Sequence, residues 1–361
     1  MIIIVDSKVN YFKSPNDIFN KNIALEPGMT FWPIFFNEAT KKGYKVYELQ
    51  EVIKSNLKFD NAYGISFEGG SMTNFYFSKY NIKKSIVFTA ESPNVALKFY
   101  RNLNTNIDGY KNVFLFSGCQ SYINNTAIKF HSFYFPSDKI YSSGKSFGER
   151  NLLCYIASAK SNMPVNYSSI ASRFIRKFRY IFYSMYRKKS PILKNCVDLY
   201  KMRFFYIKSL SNYKNFFLYG RGWDLALKYD KYFKNVTFYN KPHNIDNKHV
   251  VIENFKFVLC FENADFEGYI TEKIFDAMLN GSVPIYYGTD TINKLVPTNC
   301  FLNAKNFSNA NDLIYYLENV DQNIWQQYRS NIFNYLNSDK YNLFKSKNLA
   351  LNFLNCVKYE S

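Results

Sequence analysis

Lys273 is the residue of this 361-residue chain whose position most invites chemistry. It lies within residues 257–288, FVLCFENADFEGYITEKIFDAMLNGSVPIYYG. An apolar run there ends in Glu262 and Asn263. Ile274, Phe275, Ala277 and Met278 follow at helical spacing, Asn280-Gly281 supply a stop, and 283–287 is a second apolar run. The pattern predicts a strand, a polar loop, a helix and a strand. Ligands collect where such strands end and such helices begin. A lysine in a helix's first turn opposes the positive end of the helix dipole, which is mildly unfavourable. A bound anion reverses the sign, because Lys273 and the free N–H groups of the helix start then act on it together. The alternative is a surface lysine with a solvated head.

Three blocks of this window stand in register: Glu262-Asn263, then Tyr269-Ile270-Thr271-Glu272-Lys273, then Val283-Pro284-Ile285-Tyr286-Tyr287-Gly288. Together they resemble the donor-binding signature of the α1,3/4-fucosyltransferases, inverting enzymes that use GDP-fucose. Ala264 and Tyr287 depart from it, where serine and tryptophan are common; neither removes a charge. By this resemblance Lys273 meets the donor diphosphate, Glu272 hydrogen-bonds donor hydroxyls, Asn263 contacts the nucleotide, and Tyr269 and Thr271 line the site. Thr271 has a second reading, as the helix cap.

Three more places carry family-like residues. Residues 152–160 (LLCYIASAK) resemble the strand that opens the donor domain. Arg203, in DLYKMR at 198–203, matches the arginine that contacts the diphosphate, and its planar guanidinium suits bidentate phosphate recognition. Its alternative is an ordinary exposed helix arginine. Gly220 and Arg221, in YGRGW at 219–223, resemble the glycine-rich turn of the donor site, or are simply tight backbone after a strand. Glu91, in TAESP at 89–93, matches the candidate general base. A hydroxyl attacking an anomeric carbon must lose its proton, and a carboxylate can take it. The alternative is a carboxylate that favours the start of a following helix.

These residues need elements to hold them. Strands are expected at 2–5, 44–49, 63–67, 85–89 and 112–116, with helices at 31–42, 73–80 and 93–103 between them. Further along come a strand at 152–158, a helix at 199–211, a strand at 216–219, a helix from Trp223, and helices at 309–319, 323–336 and 341–358. Alternating strands and helices predict an α/β fold. With the resemblance it becomes two Rossmann-like domains facing a cleft, the GT-B type of glycosyltransferase. The expected division is 1–148 for the acceptor, 149–340 for the GDP-sugar, and a last helix in 341–361 packing back on the first domain.

One segment lies outside the family pattern, the extra basic region near 163–197. Its stretch 173–189, from Arg173 to Lys189, holds seven basic and no acidic residues, with Phe174, Phe178, Ile181, Phe182 and Met185 near helical spacing. A basic amphipathic helix of this kind can lie on an anionic membrane. An extra helix packed on the donor domain is the other reading.

Composition bounds the partners. Hydrophobic residues at 47% and aromatics at 20% exclude wholesale disorder. A net charge of +18 points to an anionic partner, although Lys, Asn, Ile, Tyr and Phe are all abundant together, as an AT-rich genome would give. The six cysteines form no CxxC pair and read as buried free thiols in a reducing compartment. Neither a secretory signal nor a run of roughly 18 apolar residues is present, so a cytoplasmic, membrane-peripheral protein is expected. No metal is expected to be required, because no Asp-x-Asp pair occurs and Asp265-Phe266-Glu267 is the nearest approach; Mn²⁺ would stimulate only by binding released GDP. The partners expected are GDP-fucose and an oligosaccharide acceptor of the N-acetyllactosamine type, with no specific nucleic acid. The competing readings are a transferase of another nucleotide sugar, and a basic nucleic-acid- or anionic-membrane-binding protein on a degenerate transferase fold.

Overall fold

The computed structural model of the chain describes residues 1–8, 14–20, 29–138, 145–159, 185, 187, 190–229, 233, 236–244 and 247–358. The chain divides into two compact units, one of Met1–Asp138 with Tyr341–Ser361, the other of Lys139–Lys340. The sequence set the boundary ten residues later, at 148. Residues 145–151 belong with the second unit because they bond to it: Arg150 Nη1 donates to Phe255 O (3.0 Å) and Asn151 N to Asn254 O (2.8 Å). Apart from Met185 and Arg187, the stretch 173–189 lies outside the described residues. Of the region 163–197 the structure describes its end, a one-turn helix at Pro191–Lys194 among it.

The first unit is built on β1 (Ile2–Asp6), β2 (Lys45–Glu48), β3 (Ala62–Phe67), β4 (Ile82–Phe88), β5 (Asn112–Leu115) and β6 (Lys129–Ser132). They lie in the order β2-β1-β3-β4-β5-β6, every pair parallel. Parallel strands are covered on both faces, so they read as continuous apolar runs; β1, IIIVD, is buried over its last four residues. The helix expected at 93–103 is instead a turn followed by two short helices, Leu97–Arg101 and Leu103–Ile107.

The last helix, Ser346–Lys358, belongs to this unit and supplies part of its core. Phe353 is fully buried, with ring centroids 4.6 Å from Phe114, 5.2 Å from Phe88 and 5.3 Å from Phe31. Trp32 meets the same cluster edge-on.

The second unit contains β7 (Asn151–Ile156), β8 (Val197–Asp198), β9 (Phe216–Tyr219), β10 (Phe255–Phe261), β11 (Ala264–Asp265), β12 (Val283–Tyr287) and β13 (Leu302–Asn303). Five of them form a parallel sheet in the order β13-β12-β10-β7-β9, while β8 and β11 form a separate antiparallel ladder. Both large sheets are doubly wound, and their strand order reverses at one place. In the first unit that switch point lies between β1 and β3, in the second between β7 and β10. Loops leaving neighbouring strands at a switch point run in opposite directions and leave a crevice at the carboxyl ends.

All six cysteines are free; five are buried and Cys356 is half-buried. No helix among the described residues is long and apolar enough to cross a membrane.

Candidate active site

The switch point of the second unit holds most of the residues singled out by sequence. Glu262 and Asn263 directly follow β10, and Tyr155 stands on β7 beside it. The β8–β11 ladder then ties the two segments: Asp198 pairs with Ala264, and Leu199 N donates to Asn263 O (3.2 Å). This short ladder sets the start of the helix Tyr200–Leu210 against the end of β10. Arg203, one turn along, is thereby aimed at Asn263.

Arg203 is not an exposed helix arginine. Only 6% of it is accessible. Its Nε donates to the Tyr155 hydroxyl (2.5 Å) and its Nη1 to Asn263 Oδ1 (2.6 Å), and its guanidinium lies over the rings of Tyr200 and Tyr155. Burial works against its charge, but the two tyrosines and Glu262 outweigh it, so its pKa is raised. A guanidinium has five N–H donors and two are used here, so the rest remain for a ligand.

Lys273 lies in the first turn of the helix Glu272–Leu279, as expected. Its ammonium donates to Glu262 Oε2 (3.2 Å) and Thr271 Oγ1 (2.9 Å). Burial would depress Lys273, but Glu262 and Glu272 overcome it and hold the ammonium protonated. Glu262 has no accessible surface; Thr271 donates to it from both N (2.8 Å) and Oγ1 (2.8 Å). Burial raises the Glu262 carboxyl even so, with Lys273 and Thr271 pulling the other way. Of three ammonium protons Lys273 spends two in the protein and keeps one. Arg203 in turn depresses Lys273, so the two cations feel one another. Two mutually repelling cations with spare donors at a switch point are an arrangement that could hold an anion.

Thr271 occupies the position before the helix, yet its side chain makes no capping bond; Glu262 and Lys273 take its hydroxyl instead. The helix start therefore receives no cap from it. Glu272 faces Lys248, whose ammonium is 4.0 Å from it and bridges to Asp276 one turn on. Burial would raise Glu272, but Lys273 and Lys248 overcome this and keep it below the usual carboxylate range.

Other expected residues sit differently. Tyr269 is 1% exposed, so it supports the loop from inside. Gly220 has φ +133°, and an added Cβ would stand 2.2 Å from Ala157 O, which is a close backbone approach between the ends of β9 and β7. Arg221 beside it is exposed. Asp265, expected as the nearest thing to a metal ligand, is paired with Lys305 (2.9 Å). No group of three or more His, Cys, Asp or Glu among the described residues is placed to hold a metal ion.

Glu91 belongs to the first unit, just past β4. Its N–H donates to Thr89 Oγ1 (3.1 Å), and its carbonyl accepts from the Tyr100 hydroxyl (2.8 Å). The next helix begins only at Leu97, so a role in that helix's first turn is ruled out.

Tyr155, Lys248 and Asp276 were missed as site residues, and Glu262 was read only as part of the signature. Glu272 and Asp276 lie four apart on one helix face and were readable as a carboxylate pair awaiting a cation. The burial of Glu262 and the reach of Tyr155 are long-range facts that carry no local signal.

Comparison with known proteins places this geometry. Residues 187–356 match "Glycosyltransferase family 10 (fucosyltransferase) C-term". An α-(1,3)-fucosyltransferase of Helicobacter pylori is 38% identical over 76 residues, 21% of this chain and 16% of that protein. An α-(1,4)-fucosyltransferase of Arabidopsis thaliana is 36% identical over 75 residues, 21% of this chain and 19% of that protein. The matched stretches thus span less than a fifth of these two relatives. The crystal structure of an α1,3-fucosyltransferase superposes with a TM-score of 0.53 at 15% identity, covering 100% of this chain and 90% of that one, which shows the fold to be of the GT-B type. Residues 187–356, which carry Arg203, Asn263, Thr271, Glu272 and Lys273, thus match the fucosyltransferases of glycosyltransferase family 10.

Proposed function

We propose that the protein is an inverting fucosyltransferase that moves L-fucose from GDP-fucose to a hydroxyl of an oligosaccharide acceptor, in α1,3 linkage on an N-acetyllactosamine-type chain. The observation that carries this reading is the pairing of Arg203 and Lys273 at the switch point, each with donors to spare, inside the family 10 region.

In the reaction the acceptor oxygen attacks the anomeric carbon while the bond to the β-phosphate oxygen breaks. The transition state is oxocarbenium-like, with negative charge growing on the departing GDP. Arg203 and Lys273 are held by Tyr155, Asn263, Glu262 and Thr271 before any ligand arrives, so they stabilise that charge without reorganising. Glu272 and Asn263 contact the donor, with Gly220 and Arg221 at the edge of its site. Glu91 takes the acceptor proton. The cations do electrostatic work that a metal does elsewhere, and Mn²⁺ would act on released GDP. Residues 173–189 would add peripheral contact with an anionic membrane.

The test is incubation with GDP-fucose and a panel of N-acetyllactosamine, type-1 chain and glucose-terminated acceptors, read by mass. Product on the first acceptor alone is expected. Glu91→Gln keeps the side chain's shape but cannot accept a proton, so transfer should fall by roughly 10²–10⁴ while GDP affinity stays near wild type. A runner-up reading, transfer from another nucleotide sugar, rests on the cluster recognising diphosphate better than it recognises the sugar; product from UDP- or ADP-sugars alone would favour it.

A further inference from the structure

The turn after β3 holds a carboxylate that the mechanism above does not use. Glu68 has φ +61°, a left-handed backbone that a residue with a Cβ rarely adopts. Gly69 and Gly70 continue with φ +51° and +106°, and an added Cβ at Gly69 would stand 2.7 Å from Asn106 O. This turn sits at the switch point of the first unit, where β1 and β3 are neighbours.

The surroundings force the strain on it. Gly69 N donates to Ser66 Oγ (3.2 Å), and Ser66 Oγ to the buried Asp6 (3.0 Å). Thr73 Oγ1 lies within hydrogen-bond reach of both Asp6 and Gly69 O (3.1 Å), its one proton serving either, and Lys8 reaches Gly69 O as well. Glu68 N donates to Phe88 O (2.8 Å), the last residue of β4. Strain that is over-determined in this way marks a position whose geometry is being used.

What Glu68 does with its position is visible in the next bonds. Thr89 Oγ1 donates to Glu68 Oε1 (3.2 Å), and the same oxygen accepts the N–H of Glu91 (3.1 Å). Thr89 has no accessible surface, so its hydroxyl is a fixed bridge. Burial also raises the Glu68 carboxyl, with Thr89 and Lys8 drawing it back. Strain and desolvation are both borne at one residue whose carboxylate orients a single hydroxyl.

We propose that Glu68 is a positioning residue for the acceptor half of the reaction: through Thr89 it fixes the backbone from which Glu91 presents its carboxylate. This rests on Glu91 being the base.

The experiment compares kcat for fucosyl transfer, donor KM and GDP affinity in Glu68→Ala, Glu68→Gln, Glu68→Gly, Thr89→Val and Glu91→Gln. A base displaced by a fraction of an ångström to one ångström loses roughly ten- to hundredfold, so Glu68→Ala and Thr89→Val should lower kcat by that factor with donor KM and GDP affinity unchanged. Glu68→Gln keeps an acceptor oxygen for Thr89 and should recover most of the loss. Glu68→Gly relieves the strain, so it should melt above Glu68→Ala and be equally slow. Adding Glu68→Ala to Glu91→Gln should cost nothing further. Near-normal transfer in Glu68→Ala, Glu68→Gly and Thr89→Val, with Glu91→Gln slow, overturns the inference and leaves the base intact. Glu68→Gln as slow as Glu68→Ala overturns it too, since charge and not the bridge would matter. Normal transfer in Glu91→Gln removes the base reading first.

Discussion

Replacing Lys273 with alanine tests the pairing on which the anion site stands. In the native protein Lys273 is the counter-ion of Glu262, a carboxylate with no accessible surface, at 3.2 Å. Its removal leaves Glu262 with the two Thr271 donors only. Breaking a buried pair from one side costs about 3–5 kcal/mol. The second unit runs from Lys139 to Lys340, and for a domain of that size each kcal/mol moves Tm by about 2–4 °C, so a drop of about 6–20 °C is expected. The loss should depend on pH. Burial already raises Glu262, and without Lys273 its folded pKa rises further above the unfolded value. A group raised in this way favours the folded state below its unfolded pKa of about 4.3, and that advantage is lost as pH rises through its folded pKa. Lys273→Ala should therefore sit closest to wild type near pH 5 and fall away towards pH 8. Glu262→Gln in the same chain removes the buried charge and should restore most of the Tm at pH 8. Melting curves over this pH range for the four proteins of the cycle, with GDP titration calorimetry below every Tm, give both terms. An unchanged, pH-independent Tm in Lys273→Ala would show that Glu262 does not depend on this lysine. Unchanged GDP affinity would remove it from the diphosphate.

Other perturbations follow from the same contacts. Tyr155→Phe deletes the acceptor of Arg203 Nε and Arg203→Lys deletes the fork, so GDP binding should weaken by about 1.5–3 kcal/mol in the lysine variant and less in the phenylalanine variant, measured by calorimetry. Gly220→Ala puts a Cβ 2.2 Å from Ala157 O at φ +133°, and should destabilise the second unit by about 1–3 kcal/mol in thermal unfolding, whether or not it touches the donor. Glu48 is buried, and desolvation raises it to about 7 despite bonds from Ser7 and Gln50. Its contribution to stability is fully present below the unfolded value and is lost as pH rises through about 7, so Glu48→Gln should flatten the decline of Tm between about pH 4.5 and 7.

The sequence was most informative where local pattern and burial coincide. The strand ending at Phe261, the helix after Thr271 and the strand at Val283–Tyr287 fall where the apolar runs put them, because a parallel strand buried on both faces leaves a continuous signature. The edge strand β6, KFHS, has no such run and was missed. So was the two-residue β8–β11 ladder, although it sets Arg203 against Asn263; its pairing joins residues more than sixty apart and nothing in either segment announces it. Among site residues, Lys273 was found by its odd place at a helix start. Its partner Glu262 was recognised only as part of a signature, because burial of a carboxylate depends on what folds over it. Thr271 has the residue type of a cap, and tertiary bonds to Glu262 and Lys273 outcompete the local one. The strain at Glu68 was equally silent, being imposed by Asp6, Ser66 and Thr73 from elsewhere in the unit.

Phe353 is made after the whole of the second unit, yet it fills the space between Phe31, Phe88 and Phe114. On the ribosome the first unit therefore waits. All of Lys139–Lys340 must be synthesised before the closing helix exists, an interval of roughly 10–40 s at 5–20 residues per second. During that time Trp32 and its aromatic neighbours lack the ring that covers them, whereas the unit made second already has its whole sequence. Maturation thus runs against the direction of synthesis: the second unit can close before the first, which closes only with the helix that follows it.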